Sequence, residues 1–428
     1  MSFVGIRAAV GGDTVMTPQE IRAAVALAAG AVVGTTTHVE RMHSAIAARP
    51  LRLAGTAGAP VRLIHDAVAR GVYASVRAGE RVAGAAVGEV LAVRAGGRDG
   101  APVGATAGGN FALAALNAAV GDRLAERRSA LGIRMALRVG GRDVRADREE
   151  LSVAFPGATA RLAVFVHGLG GTEDTWLFAA RRHYDDPAMC YGSKLADEFG
   201  YTALYVRYNS GLHVSENGRL FSDLLSAVVA NWPTAVAEIA LIGHSMGGLI
   251  ARGACHGGQQ AGASWVPAVR HVLCLGSPHL GAPLEKGVAE LSRALAGVTE
   301  TRPFASLLNE RSAGIKDLRH GYVTEEDWRD CDPDSCRLDH RSPIELLPNA
   351  SHYAVAATVT RDPSHPLGRA VGDVLVLPAS AHGVSTDGRH IPFPVQNRRQ
   401  FGGLHHLHLL NHPDIYQAIR HWLAPQPN

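Results

Sequence analysis

The stretch Gly243-His244-Ser245-Met246-Gly247 has the Gly-x-Ser-x-Gly spacing. An apolar run, Glu238–Ile242, precedes it, and Leu249–Cys255 can continue from it as a helix. Strand, sharp turn and helix in this order hold a serine hydroxyl above the end of a sheet. The turn strains the serine backbone, and small neighbours let helix and strand approach. A serine hydroxyl is a weak nucleophile at neutral pH and needs an adjacent base, normally a histidine oriented by a carboxylate. The chain supplies both downstream. Asp373 stands before the apolar run Val374-Leu-Val-Leu377, which should bury and fix its carboxyl group. Asp362 and Asp387 are rivals for the same role. Three histidines compete as base, at 405, 406 and 408. His406 fits best, because Leu407, Leu409 and Leu410 place it in a loop just before a terminal helix, Ile415–Leu423.

A tetrahedral intermediate also needs N–H donors for its oxyanion. His167-Gly168-Leu169-Gly170-Gly171 follows the apolar run 162–166, and its glycines let backbone N–H groups face an incoming oxygen. The expected donors are the N–H groups of Leu169 and of Met246, the residue after the nucleophile. A phosphate cradle would need a Gly-Lys-Ser/Thr continuation, which is missing. Ser277, in Gly276-Ser277-Pro278-His279, lacks the elbow context. The histidine cluster has no nearby acidic or cysteine partners suited to a metal, so neither a metal nor a cofactor is expected.

These residues must be positioned by alternating elements. Strands are expected at Ile133–Val139, Leu151–Phe155, 162–166, Tyr201–Tyr208, Glu238–Ile242, His271–Leu275 and Tyr353–Thr360, with helices between several of them. Such alternation implies a mostly parallel sheet covered on both faces, with chemistry beyond the carboxyl ends of its strands. Residues 282–350 interrupt it and are expected to form a cap or lid, with Leu284–Leu295 helical. Residues 1–130 are Ala-rich and read as three helices, starting at Pro18, over about 61–93 and over about 110–128. They are expected to form a separate helical region that packs on the 131–428 catalytic domain or on a second copy of the chain.

Bulk properties narrow the function. The 428 residues suggest two units, 46% hydrophobic content suffices for a large core, and a net charge of +3 gives nucleic-acid binding no support. No run approaches the length of a membrane span, and the N-terminus lacks the pattern of a signal peptide, so a cytoplasmic location is expected. The five cysteines are too few for a disulfide scaffold. Cys331 and Cys336 could close a small loop or remain reduced.

Five segments together carry a resemblance: Val166–Gly170, Ile242–Leu249, Leu275–Pro283, Gly372–Val376 and His406–Leu410. In this order the chain resembles bacterial lipases and carboxylesterases of the α/β-hydrolase superfamily, and within them the triacylglycerol-lipase and GPI-inositol-deacylase-like group. The resemblance spans about residues 160–423. It implies Ser245 as nucleophile, His406 as base, Asp373 as orienting acid, Leu169 and Met246 as oxyanion donors, and a hydrophobic ester as substrate. A thioesterase, amidase or acyltransferase would use the same machinery, and a non-catalytic binding module could retain the fold.

Overall fold

A computed structural model describes residues 17–30, 74, 77–78, 85, 88–89, 92, 102–282, 312–330, 341–385 and 390–424. The expected helix at Leu284–Leu295, both cysteines at 331 and 336, and Asp387 lie outside the described residues. The chain divides into two compact units. One is Met1–Thr106 with Ser129–Leu131, the other Ala107–Arg128 with Gly132–Asn428.

In the first unit residues 18–30 are helical. Thr17 and Glu20 form a capping box: the Glu20 N–H donates to Thr17 Oγ1 at 3.2 Å, and the Thr17 N–H donates to Glu20 Oε2 at 2.9 Å. Pro18 takes the first helical position, where its missing N–H is harmless. The residues described between 74 and 92 are also helical, and Arg22 reaches Glu89 at 2.8 Å.

The second unit is built on an eight-stranded sheet of order β2-β1-β4-β3-β5-β6-β7-β8. The strands are β1 Ala136–Val139, β2 Arg142–Val144, β3 Arg161–Val166, β4 Thr202–Arg207, β5 Glu238–His244, β6 Val269–Leu275, β7 Ser351–Thr358 and β8 Arg398–Gly402. From β4 to β8 every neighbouring pair is parallel, while β1 runs against both β2 and β4. The helices are α1 Ala107–Glu126, α2 Arg148–Ala154, α3 Tyr191–Phe199, α4 Val214–Asn231, α5 Met246–Gln260, α6 Ala313–His320 and α7 Pro413–Leu423, besides shorter turns.

Alternation along the strands feeds two cores. Leu162, Val164, Leu241 and Val272 face one side and pack with Phe221, Leu225, Leu249 and Ile250 of α4 and α5. Ala163, Phe165, Ile242 and Leu273 face the other side, under Tyr191 and Leu195 of α3 and Ile415, Ile419 and Trp422 of α7. A sheet covered on both faces is therefore present, as the alternation implied. Among the described residues no helix is long and apolar enough to cross a membrane.

One expectation differs from the structure. Leu151–Phe155 is not a strand, and most of it lies in α2. Asp147 caps that helix by accepting the Glu150 N–H at 2.9 Å, and Glu149 and Glu150 sit in its first turn, where acidic groups favour the helix dipole. The strand place beside β1 is taken by β2, through a tight turn with Gly140 and Gly141 at φ of 55° and 75°. Only glycine adopts such a turn freely. The helix expected over about 110–128 is α1, and it packs in the sheet-bearing unit. Its Asn110 joins Arg207 at 3.0 Å and Glu173 and Asp174 at 3.1 Å, while Arg138 holds Glu173 and Asp143 at 2.7 Å each. Asn117 Oδ1 accepts the Ile133 N–H at 2.9 Å, and Asn209 Nδ2 donates to the Gly121 carbonyl at 2.8 Å.

At the amino end of the sheet Glu238 gathers a second polar network. It accepts from Arg161 Nε at 3.0 Å and from the Tyr201 hydroxyl, and His271 Nε2 lies 3.6 Å away. Burial opposes its charge, but the bonds from Arg161 and Tyr201 prevail and hold its carboxyl below the ordinary value of 4.5. A depressed folded-state pKa adds stability above the unfolded value and loses it as pH falls through the folded value. Glu238→Gln is therefore expected to cost about 1–3 kcal/mol at neutral pH, the range for a hydrogen-bonded charge left unmatched. Urea unfolding at pH 7 and again in acid well below the ordinary glutamate range, where the carboxyl is protonated in both states, measures the difference. A gap of equal size at both pH values contradicts the charge-based account.

Candidate active site

Strand β5 lies in the middle of the parallel strands and ends at His244. Ser245 makes the turn into α5 with φ 54° and ψ −122°, a conformation that costs an L-residue about 1–3 kcal/mol. Close approach explains the glycines. A Cβ on Gly247 would stand 2.1 Å from the Val166 carbonyl oxygen, and one on Gly243 would stand 2.4 Å from the Gly248 nitrogen. Across residues 241–250 every position is buried except Ser245. Its backbone is pinned by its own N–H to the Leu275 carbonyl at 2.8 Å.

Asp373 and His406 meet at the same end of the sheet. The loop after β7 turns through Gly372 and Val374, both at positive φ, and presents Asp373 with 1% exposure. Its Oδ1 accepts the N–H groups of Leu375 and Val376 at 3.0 and 2.8 Å. That leaves Oδ2 for the Nδ1–H of His406, at 2.7 Å. A second bond, from the His406 N–H to the Asp373 carbonyl at 3.0 Å, fixes one backbone against the other. The rival Asp362 instead closes an exposed turn by accepting from Ser364 N and Oγ at 2.8 and 2.6 Å.

Ser245 reaches this pair through its neighbours. The His244 ring lies 4.6 Å from the His406 ring, and its Nε2 donates to the His406 carbonyl at 3.1 Å. Gly276, which follows β6, lies so close to the imidazole that a Cβ there would be 3.1 Å from its Cε1. A direct hydrogen bond between Ser245 Oγ and His406 is not among those of the described residues, and such contacts often tighten only around substrate. The Asp373–His406 pair stands beside a strained serine turn, and both lie at the carboxyl ends of parallel strands. The chain has the α/β-hydrolase fold.

Residues 159–337 match the model of the PGAP1-like alpha/beta domain. No curated protein sequence matches the chain. Among solved structures, Bacillus licheniformis lipase BlEst2 in mature form aligns at 18% identity and TM-score 0.38, covering 63% of this chain and 92% of its own. The RedJ thioesterase from the prodiginine biosynthetic pathway of Streptomyces coelicolor aligns at 18% and 0.35, covering 62% and 91%. Phospholipase PlaB from Legionella pneumophila aligns at 16% and 0.32, covering 52% and 46%.

Within the hydrolase fold the other histidines sit apart. His405 and His408 stack on each other at 3.6 Å and lie edge-on to Phe178. Burial, then His405, His412 and His183, push His408 down to about 4, so it is neutral at pH 7. Among the described residues no three His, Cys, Asp or Glu side chains are arranged to hold a metal ion. Ser277 is fully buried.

The loop expected to supply the second oxyanion donor is held from both sides. The Tyr208 hydroxyl donates to the His167 carbonyl at 2.7 Å, and its ring stacks on the His167 imidazole at 4.3 Å. The Gly170 N–H donates to Ser210 Oγ at 3.0 Å. Leu169 lies between the two anchors, half-buried between buried neighbours. Tyr208 and Ser210 were not marked by sequence reasoning. Their one signal was position, just beyond the carboxyl end of a central strand. The described part of the expected cap packs nearby: Gly314 of α6 abuts the Ser210 carbonyl closely, and Ser312 Oγ donates to the Ala118 carbonyl at 2.6 Å.

Proposed function

We propose that the protein is a serine hydrolase that cleaves hydrophobic carboxylic esters through an acyl-enzyme on Ser245. The observation that carries this reading is the buried 2.7 Å bond between His406 Nδ1 and Asp373 Oδ2, beside a strained serine turn. With Nδ1–H donated to the carboxylate, the neutral imidazole leaves Nε2 free to accept a proton. Ser245 Oγ attacks the acyl carbon as His406 Nε2 takes its proton. The carbonyl oxygen becomes an oxyanion, held by the N–H groups of Met246 and Leu169. Met246 opens α5, where the first N–H groups have no carbonyl one turn back. His406 then protonates the departing alcohol, and the ester C–O bond breaks. Water adds in the second half, giving a proton to His406 while the acid leaves and the proton returns to Ser245. Residues of the 282–350 cap would cover the acyl chain, and the N-terminal helices of residues 1–130 would serve a second copy of the chain as a docking surface.

A fluorophosphonate probe followed by peptide mapping tests the reading, with p-nitrophenyl esters of increasing chain length reporting turnover. Labelling at Ser245 and hydrolysis are expected. A folded protein that is neither labelled nor active is not a hydrolase of this kind.

Tyr208 and Ser210 then act as positioning residues for the Leu169 donor. Ser210→Ala is expected to lower kcat about tenfold, a part of the ~3 kcal/mol that one oxyanion donor supplies. KM should hardly move, because the donor acts on the tetrahedral state and not on the bound ester. A rise in KM at unchanged kcat would instead assign Ser210 to substrate binding.

A further inference from the structure

The segment Leu404–His412 holds four histidines, and the proposed chemistry uses only His406. The other three form a cluster with His183 of the short helix Ala180–Tyr184. Ring to ring, His405 lies 3.6 Å from His408, and His412 lies 4.8 Å from His183. His408 joins the two pairs, 6.0 Å from His412 and 6.2 Å from His183. Two of these rings are bound to the backbone. The His405 N–H donates to His408 Nδ1 at 3.2 Å, and the Asp414 N–H donates to His412 Nδ1 at 3.2 Å. A backbone N–H only donates, so each Nδ1 offers its lone pair. A protonated imidazole carries hydrogen on both nitrogens and has no lone pair to offer. Both bonds therefore exist only while the rings are neutral.

The two bonds hold the two ends of the loop that carries His406. The first fixes the residue directly before His406. The second caps α7, whose N-cap is His412. A positive charge at that helix N-terminus would also oppose the helix dipole. Burial disfavours charge on all four rings of the cluster, and Arg182 adds to this at His183, His405 and His408. Asp414 favours a charge on His183 and His412, while Asp373 favours and His406 disfavours one on His405. Tyr184, beside His183, stays neutral, because burial pushes it up to about 12. Burial prevails over the carboxylates, and the four rings lie below the ordinary histidine value, His408 at about 4. Rings of this kind stabilise the closed loop above the ordinary value, and that stability is lost as pH falls toward the folded values. We propose that the cluster is an acid-sensitive latch on the His406 loop. In mild acid His408 and His412 take protons from solvent, both Nδ1 bonds break together, the gathered charges repel, and residues 404–412 open with the first turn of α7. The opening itself is independent of the hydrolase reading, whereas its effect on turnover rests on it.

Hydrogen exchange on the full chain, read by mass spectrometry and corrected for the intrinsic pH dependence of exchange, tests the latch. From about pH 7 to about pH 4.5, peptides covering 404–415 are expected to lose protection at least about tenfold, while peptides from β3 and β5 keep theirs. In the double variant His408→Asn/His412→Asn the side-chain amide oxygens can accept the same two N–H groups but do not titrate, so the protection should persist in acid. Unchanged protection in the parent, an equal loss in β3 and β5, or the same loss in the variant overturns the proposal. Should the double variant fail to fold, His412→Asn alone keeps a good cap and should lessen the loss; an undiminished loss overturns the latch. Turnover of a p-nitrophenyl ester adds a second readout. The parent should lose turnover more steeply than in proportion to proton concentration, and the variant only in proportion, as His406 alone titrates. Equal slopes overturn the latch. A parent without turnover at any pH sinks the hydrolase reading instead, and exchange alone then decides the latch.

Discussion

Ser245→Ala is expected to abolish ester turnover, with kcat falling by about 10⁶, the scale found when a serine nucleophile is removed from a triad. The size follows from chemistry. The acyl-enzyme cannot form without the hydroxyl, and what remains is the oxyanion donors acting on direct attack by water. Stability should change little. The hydroxyl makes no hydrogen bond among the described residues, and alanine suffers the same strain as serine at φ 54°. Tm by calorimetry and turnover of a p-nitrophenyl ester measure the two quantities together. An unchanged Tm with lost turnover assigns the nucleophile. Retained turnover excludes Ser245, and lost turnover with a collapsed Tm assigns a structural role instead.

The second large effect is at His406. His406→Ala should lower kcat by about 10⁴–10⁶, because the serine then lacks its base and the leaving alcohol its acid. His405→Ala and His408→Ala should stay within about tenfold of the parent, since general-base catalysis requires reach to the serine proton. Of the three, His406 alone bonds the buried carboxylate of Asp373, while the other two stack on each other against Phe178. Their adjacency in sequence makes the comparison strict, because disruption of the loop would affect all three alike. A loss at His408 equal to that at His406 would reverse the assignment.

Much of this arrangement is legible in the chain. Buried parallel strands read as nearly continuous apolar runs, which is why 162–166, 238–242 and 271–275 stand out. The elbow is legible because its geometry leaves no room for a Cβ at Gly243 and Gly247, two positions to either side of Ser245. The acid and the base are legible as residue types in a fixed chain order. Leu151–Phe155 misleads because five residues can satisfy either period, and a cap at Asp147 decides for the helix. Strand β8 is polar and lies at the sheet edge, so it has no apolar run to betray it.

The chain alone carries the chemistry on offer: a serine with glycines two residues to either side, an acid and three histidines after it, and a glycine loop before it. Those are local facts, written in spacing and side-chain type. The fold selects which histidine meets Asp373, leaves Asp362 to close a surface turn, and sets Tyr208 and Ser210 to hold the glycine loop. The Asp362 turn is local, but the others depend on contacts between residues tens of positions apart, where long-range packing selects among partners that local pattern leaves equivalent.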